Sequence, residues 1–129
     1  MQFKALSLSA LFSIGLITQP FAHAADTTMA MEQMAEIIID FNNSASEDDK
    51  ITLDDIAHDI ASTDNERALA TAIKNIETKI RPADKGSIMK IFTSPSASET
   101  ERTLAKTLLR FEGKPSAQTQ EKLSQWIEQ

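Results

Sequence analysis

A chain of 129 residues without cysteine has no disulfide to hold it and no thiolate for a zinc site. Its net charge of −6 argues against nucleic acid or anionic lipid as a partner. Glycine occurs three times, valine and tyrosine are missing, and Ala, Ile, Leu, Glu, Lys and Gln dominate. That composition favours helices over strands, so the expected class is all-α.

The first 24 residues read as a secretion signal. MQFK is followed by the apolar run ALSLSALFSIGLI and then by Ala22-His23-Ala24, an A-x-A cleavage site. The run is shorter than the roughly 20 residues that cross a bilayer, and no cysteine follows for lipid attachment. We expect 1–24 to be cleaved. Residues 25–129 would then be a single domain in the bacterial periplasm, with no stable membrane insertion.

The mature chain opens ADTTMAMEQMAE, and its first helix is expected over 27–41, capped by Asp26 or Thr27. Met31, Met34, Ile38 and Phe41 form its apolar stripe. Ser46 to Lys50 reads as a polar connection. Thr52 and Asp55 read as a capping box that opens a short helix with Leu53, Ile56, Ala57 and Ile60 inward. Thr63-Asp64-Asn65-Glu66 is a cleaner capping box, opening a helix with Leu69, Ile73, Ile76 and Ile80 on one face and Pro82 as its stop. A short helix or turn is expected around 84–92, and then a loop at Thr93-Ser94-Pro95-Ser96.

Ser98 and Glu101 cap the next helix, with Leu104, Leu108 and Phe111 inward, Gly113 at its end and Pro115 preventing continuation. The last helix spans about 116–128 and offers Leu123, Trp126 and Ile127 to a core. No internal repeat stands out. Four longer helices with two short ones in the connections predict an antiparallel four-helix bundle.

Chemistry is limited by inventory. His58 is the only histidine after position 24, and G-x-S-x-G, phosphate-binding glycine loops and dinucleotide fingerprints are missing, so no enzymatic activity is expected. The acidic run SEDDKITLDD fails as a calcium loop: starting from Asp48, the third position is Lys50 and the sixth, where glycine is needed, is Leu53. His58 lies among Asp54, Asp55 and Asp59, which reads as a salt-linked surface histidine.

Charge is distributed unevenly. Between Asp26 and Glu66 stand 12 acids and the single base Lys50, whereas from Arg67 onward there are 7 acids and 11 bases. The expectation is that the two halves pack and partly neutralise each other, since charge runs usually lie on solvated faces; the alternative is an acidic face that docks a basic partner. Thioether sulfur is a soft ligand for Cu(I) or haem iron. Met31 and Met34 share a helix face, whereas Met29 points about 160° away from Met31. Met34 is expected in the core as adaptable filler.

The segment Ala25-Asp26 through Met31-Glu32 resembles the mature N-terminus of the cytochrome b562 family, soluble periplasmic electron carriers built as four-helix bundles. Glu112-Gly113-Lys114 is similar to that family's turn between its third and fourth helices, and Asp64-Asn65 before a helix is a further echo. The resemblance implies a non-covalent b-type haem with Met31 as axial ligand of its iron, and a redox partner protein. The segment 42–62 then reads as an insertion. The family's second axial ligand, a histidine late in the last helix, has no counterpart here: the chain ends KLSQWIEQ.

Three functions are therefore weighed. One is a haem-binding electron carrier using Met31. Another is a haem-free periplasmic interaction or stress protein, with Phe92, Trp126 and Ile127 as a candidate apolar surface. The third is a Cu(I) carrier using Met29, Met31 and Met34.

Overall fold

The computed structural model describes residues 27–128; the expected signal sequence over 1–24, with Ala25, Asp26 and Gln129, lies outside the described residues. Those described are all-α, in six helices: α1 (Met29–Ile39), α2 (Glu47–His58), α3 (Asp64–Lys74), α4 (Pro82–Thr93), α5 (Glu99–Leu109) and α6 (Ala117–Ile127). Each has 11 or 12 residues. Six helices of near-equal length take the place of the four longer and two short ones expected. None is long and apolar enough to cross a membrane.

The differences from expectation lie at the caps. Thr28, rather than Asp26 or Thr27, caps α1 by accepting from the Met31 amide. Ser46 caps α2 in the same way from Asp49. The supposed connection Glu47-Asp48-Asp49 is therefore the first turn of α2, where acidic side chains meet the positive end of the helix dipole. Thr52, read as a cap, sits within α2 and bonds back to the Asp48 carbonyl. Pro82 starts α4 instead of stopping α3, since a missing N–H costs nothing at a first helical position. The capping boxes Thr63–Glu66 and Ser98–Glu101 are formed.

The chain is a threefold repeat. N-caps Thr28, Thr63 and Ser98 recur every 35 residues, as do the left-handed turn residues Asn43, Thr78 and Gly113. The second set of N-caps, Ser46, Arg81 and Ser116, keeps the same interval. Each unit is an inner helix, a seven-residue turn and an outer helix. The outer helix packs on the inner helix of the next unit (α2 on α3, α4 on α5), and α6 packs on α1 to close a ring. The inner helices α1, α3 and α5 meet one another at the centre.

Equivalent positions explain the core. Ala35, Ala70 and Ala105 are fully buried, and their small side chains let the three inner helices approach closely. Met34, Leu69 and Leu104 fill one layer, and Ile38, Ile73 and Leu108 the next. Phe41 and Phe111 meet edge-on at 5.1 Å, with Ile76 buried at the corresponding place.

Above this layer the three turns close a triangle of backbone hydrogen bonds. Thr78 N–H donates to the Asn43 carbonyl (2.6 Å), Gly113 N–H to Thr78 (2.6 Å), and Asn43 N–H to Gly113 (2.7 Å). The left-handed conformation at each corner aims both N–H and C=O at neighbouring units.

Candidate docking grooves

The opposite end of the ring carries a polar network built on the N-caps. Thr28 donates its hydroxyl to Glu66 Oε2 (2.6 Å), and Thr63 donates likewise to Glu101 Oε2 (3.0 Å). Glu66 Oε1 also accepts from the Thr63 amide, and Glu101 Oε1 from the Ser98 amide and the Asn65 side chain. Both glutamates are buried, and these donors satisfy them. The third place in the cycle belongs to residue 31, which is methionine. There Ser98 shares its hydrogen bond with Thr100 instead.

That network defines where the candidate ligand lies. Met31 has no exposed surface, and Met34 is equally buried, whereas Met29 is 75% exposed. The structure places Met34 in the core as expected and separates Met29 from the other two sulfurs. His58 stands exposed at the end of α2, its Nδ1 2.8 Å from the Asp54 carbonyl. Trp126 is buried, so the apolar surface sought around Phe92, Trp126 and Ile127 reduces to a partly exposed Phe92 and a half-buried Ile127. Among the described residues no group of three or more His, Asp or Glu has metal-ligating geometry.

The accessible chemistry lies on the outside, where the two arms of a unit splay. In the first unit, α1 and α2 diverge around a cavity of about 530 Å³ lined by Gln33, Glu36, Ile37, Ile39, Asp40, Asp49 and Thr52, with Ile127 of α6 at its rim. In the third, α5, α6 and their turn surround about 600 Å³ whose charged lining is Lys106, Arg110, Glu112, Lys114 and Lys122. In the second unit α3 and α4 pack closer than the arms of the first, leaving two hollows of about 200 and 210 Å³.

The grooves of the first and third units are the same place in the repeat. Glu36 in the first unit corresponds to Lys106 in the third, Asp40 to Arg110, Asp49 to Thr119, and Thr52 to Lys122. The second unit has Thr71, Asn75, Asp84 and Ser87 at these positions. One backbone frame thus carries three carboxylates and no base in one groove, four bases and one carboxylate in another.

Few of these charges are spent internally. Glu36, Asp40, Asp49, Lys106, Arg110, Lys114 and Lys122 enter no ion pair among the described residues; Glu112 reaches Lys79 at 3.9 Å. Another cavity, of about 570 Å³ beside the turns, contains Lys50, Lys74, Arg81 and Glu77. Two of its bases are already engaged, Lys50 with Glu47 and Lys74 with Asp54. The Lys74 ammonium, 3.0 Å from Asp54, lowers the Asp54 pKa below its ordinary value, with a lesser contribution from His58.

The groove positions gave no signal when each helix was read alone: Glu36 and Asp40 were ordinary solvent-face acids. Only the 35-residue offset pairs them with Lys106 and Arg110. No family model, curated protein or solved structure matches this chain.

Proposed function

We propose that this chain is a haem-free, non-enzymatic docking module of the bacterial periplasm, a closed ring of helices that binds other proteins through its charged grooves. One observation carries the reading: equivalent grooves on a repeated frame bear opposite charges, and apart from Glu112 these enter no ion pair among the described residues. Desolvated opposite charges across an interface set partner choice and association rate, and unpaired charges in a concave, half-walled groove are arranged for that use.

A photo-crosslinking amino acid at Gln33, inside the acidic groove, tests this in cells. The expected result is a discrete adduct that disappears when Glu36→Gln and Asp40→Asn are added. Absence of any adduct overturns the reading.

The resemblance at the N-terminus implies instead an electron carrier with b-type haem on Met31, its acidic first unit docking a basic redox partner. For that, the Met31 sulfur must leave a position with no exposed surface. Hemin titration separates the two. A flat response is expected, and a saturable, sharpened Soret band lost on Met31→Ala would replace the docking module with the carrier.

A further inference from the structure

The two grooves are neighbours. Helix α6 forms a wall of the basic groove through Gln118, Thr119 and Lys122, and its far end, Ile127, reaches the rim of the acidic one. Its packing on α1 is fixed by Gln120, whose side-chain amide donates to the Ile39 carbonyl at 3.0 Å. The acidic and basic grooves therefore lie on either side of α6.

A surface with opposite charges on two sides of a line is complementary to itself after a half-turn about that line. Rotation about an axis along α6 brings a second copy's basic groove opposite the first copy's acidic groove, and the reverse at the same time. We propose that two copies of this chain pair about a twofold axis running along α6, each acidic groove facing its partner's basic groove. Such an interface is isologous and closes on itself, so it yields a dimer and not a filament. The proposal rests on the grooves being docking faces and names their occupant as this same chain.

Charge complementarity selects this occupant. Three acidic carboxylates alone would be only a cluster; what they match is the opposite charge of Lys106, Arg110, Lys114 and Lys122 in the equivalent groove of the same molecule. The exposed strip of α6 between the grooves carries Gln118, Glu121, Lys122 and Gln125 and no large apolar side chain. The contact is consequently polar, and salt governs it: screening acts over ~30 Å at 0.01 M ionic strength and ~3 Å at 1 M.

Sedimentation velocity of the processed full chain tests the pairing. The parent is expected to sediment as a dimer at low ionic strength and as a monomer at high. Two reversed variants are compared with it: Glu36→Lys with Asp40→Lys, and Lys106→Glu with Arg110→Glu. Each alone should be monomeric, because both of its large grooves then share one sign, and an equimolar mixture should recover the dimer. All four side chains are exposed; circular dichroism confirms folding, and the neutral pair Glu36→Gln with Asp40→Asn should also lose the dimer.

A parent that stays monomeric at low salt overturns the proposal. So does a dimer that survives in both reversed variants, or a mixture that fails to restore it. If sedimentation shows monomer while crosslinking from Gln33 captures a different protein, self-pairing fails and the docking function stands.

Discussion

Thr78 holds a backbone conformation that threonine seldom adopts, with φ of 73°. A branched side chain in the left-handed region costs about 1–2 kcal/mol, and it persists because the turn triangle needs that geometry. Thr78→Gly is expected to raise unfolding free energy by about 1 kcal/mol in urea melts, since the strain relieved exceeds the added chain entropy. Gly113→Ala should do the reverse and lose ~1–3 kcal/mol. Its φ is +87°, and a Cβ there would stand 2.9 Å from the Asn43 Oδ1 atom.

Met31 permits a sharper comparison with Met34. Both are fully buried, yet the repeat gives position 31 glutamates as equivalents and position 34 leucines. A glutamate at 31 finds the Thr28 amide and the Ser98 hydroxyl in the places where Glu66 and Glu101 find theirs. Met31→Glu is expected to change stability by no more than about 1 kcal/mol, and Met34→Glu to lose about 3–5 kcal/mol as a buried charge without a partner. Equal losses in thermal melts would contradict the network as described.

Asp54 joins α2 to α3 through Lys74. Its folded pKa is lowered, so the stabilisation is present above the ordinary aspartate pKa and is lost as pH falls through the lowered folded value. The urea midpoints of the parent and Asp54→Asn should therefore differ at neutral pH and converge in acid.

Among the elements, what could be read in advance was whatever one helix states about itself. The boxes Thr63–Glu66 and Ser98–Glu101 were legible because both halves of the motif lie within one turn. Gly113 reads in sequence as the C-terminal cap of α5, but Arg110 caps that helix and Gly113 is instead a corner of the turn triangle. The start of α2 was missed although Ser46 followed by three acids is also a helix-start pattern; its polarity suggested a loop. Pro82 was taken for a terminator because proline both stops one helix and opens the next.

The repeat was hidden for a different reason. Its units keep the class of residue and seldom the identity: Phe41, Ile76 and Phe111 are equivalent, as are Ala57, Phe92 and Ile127. A 35-residue period is also masked by helical periodicity within each unit. The caps themselves are testable. Ser46→Ala should cost about 1 kcal/mol through fraying of α2, read as faster amide exchange in its first turn.

For the whole molecule, the repeat supplies stability and, in the proposed docking reading, the frame that carries the grooves. Closing α6 on α1 leaves no unpaired end among the inner helices, and the alanines at the axis make the centre dense without disulfides. Divergence then acts where packing does not constrain it, on the faces of the splayed arms. The overall charge reads as merely acidic, yet it divides into a first unit with nine carboxylates and one base and a third with five of each. The sequence favours neutralisation between the halves over an acidic docking face, and the Asp54–Lys74 pair does join them; yet apart from Glu112 the groove charges enter no ion pair among the described residues, which supports the docking reading.

The same symmetry provides an internal control for that account. Gln33, Ala68 and Thr103 are equivalent positions in the three units, each half-buried and each lining its unit's cavity. The most direct test is photo-crosslinking in cells from these three positions in parallel. Docking through the charged grooves predicts adducts from Gln33 and Thr103 and none from Ala68, where the hollow is small and its charges mixed. Adducts of equal yield from all three positions, or from none, would contradict it.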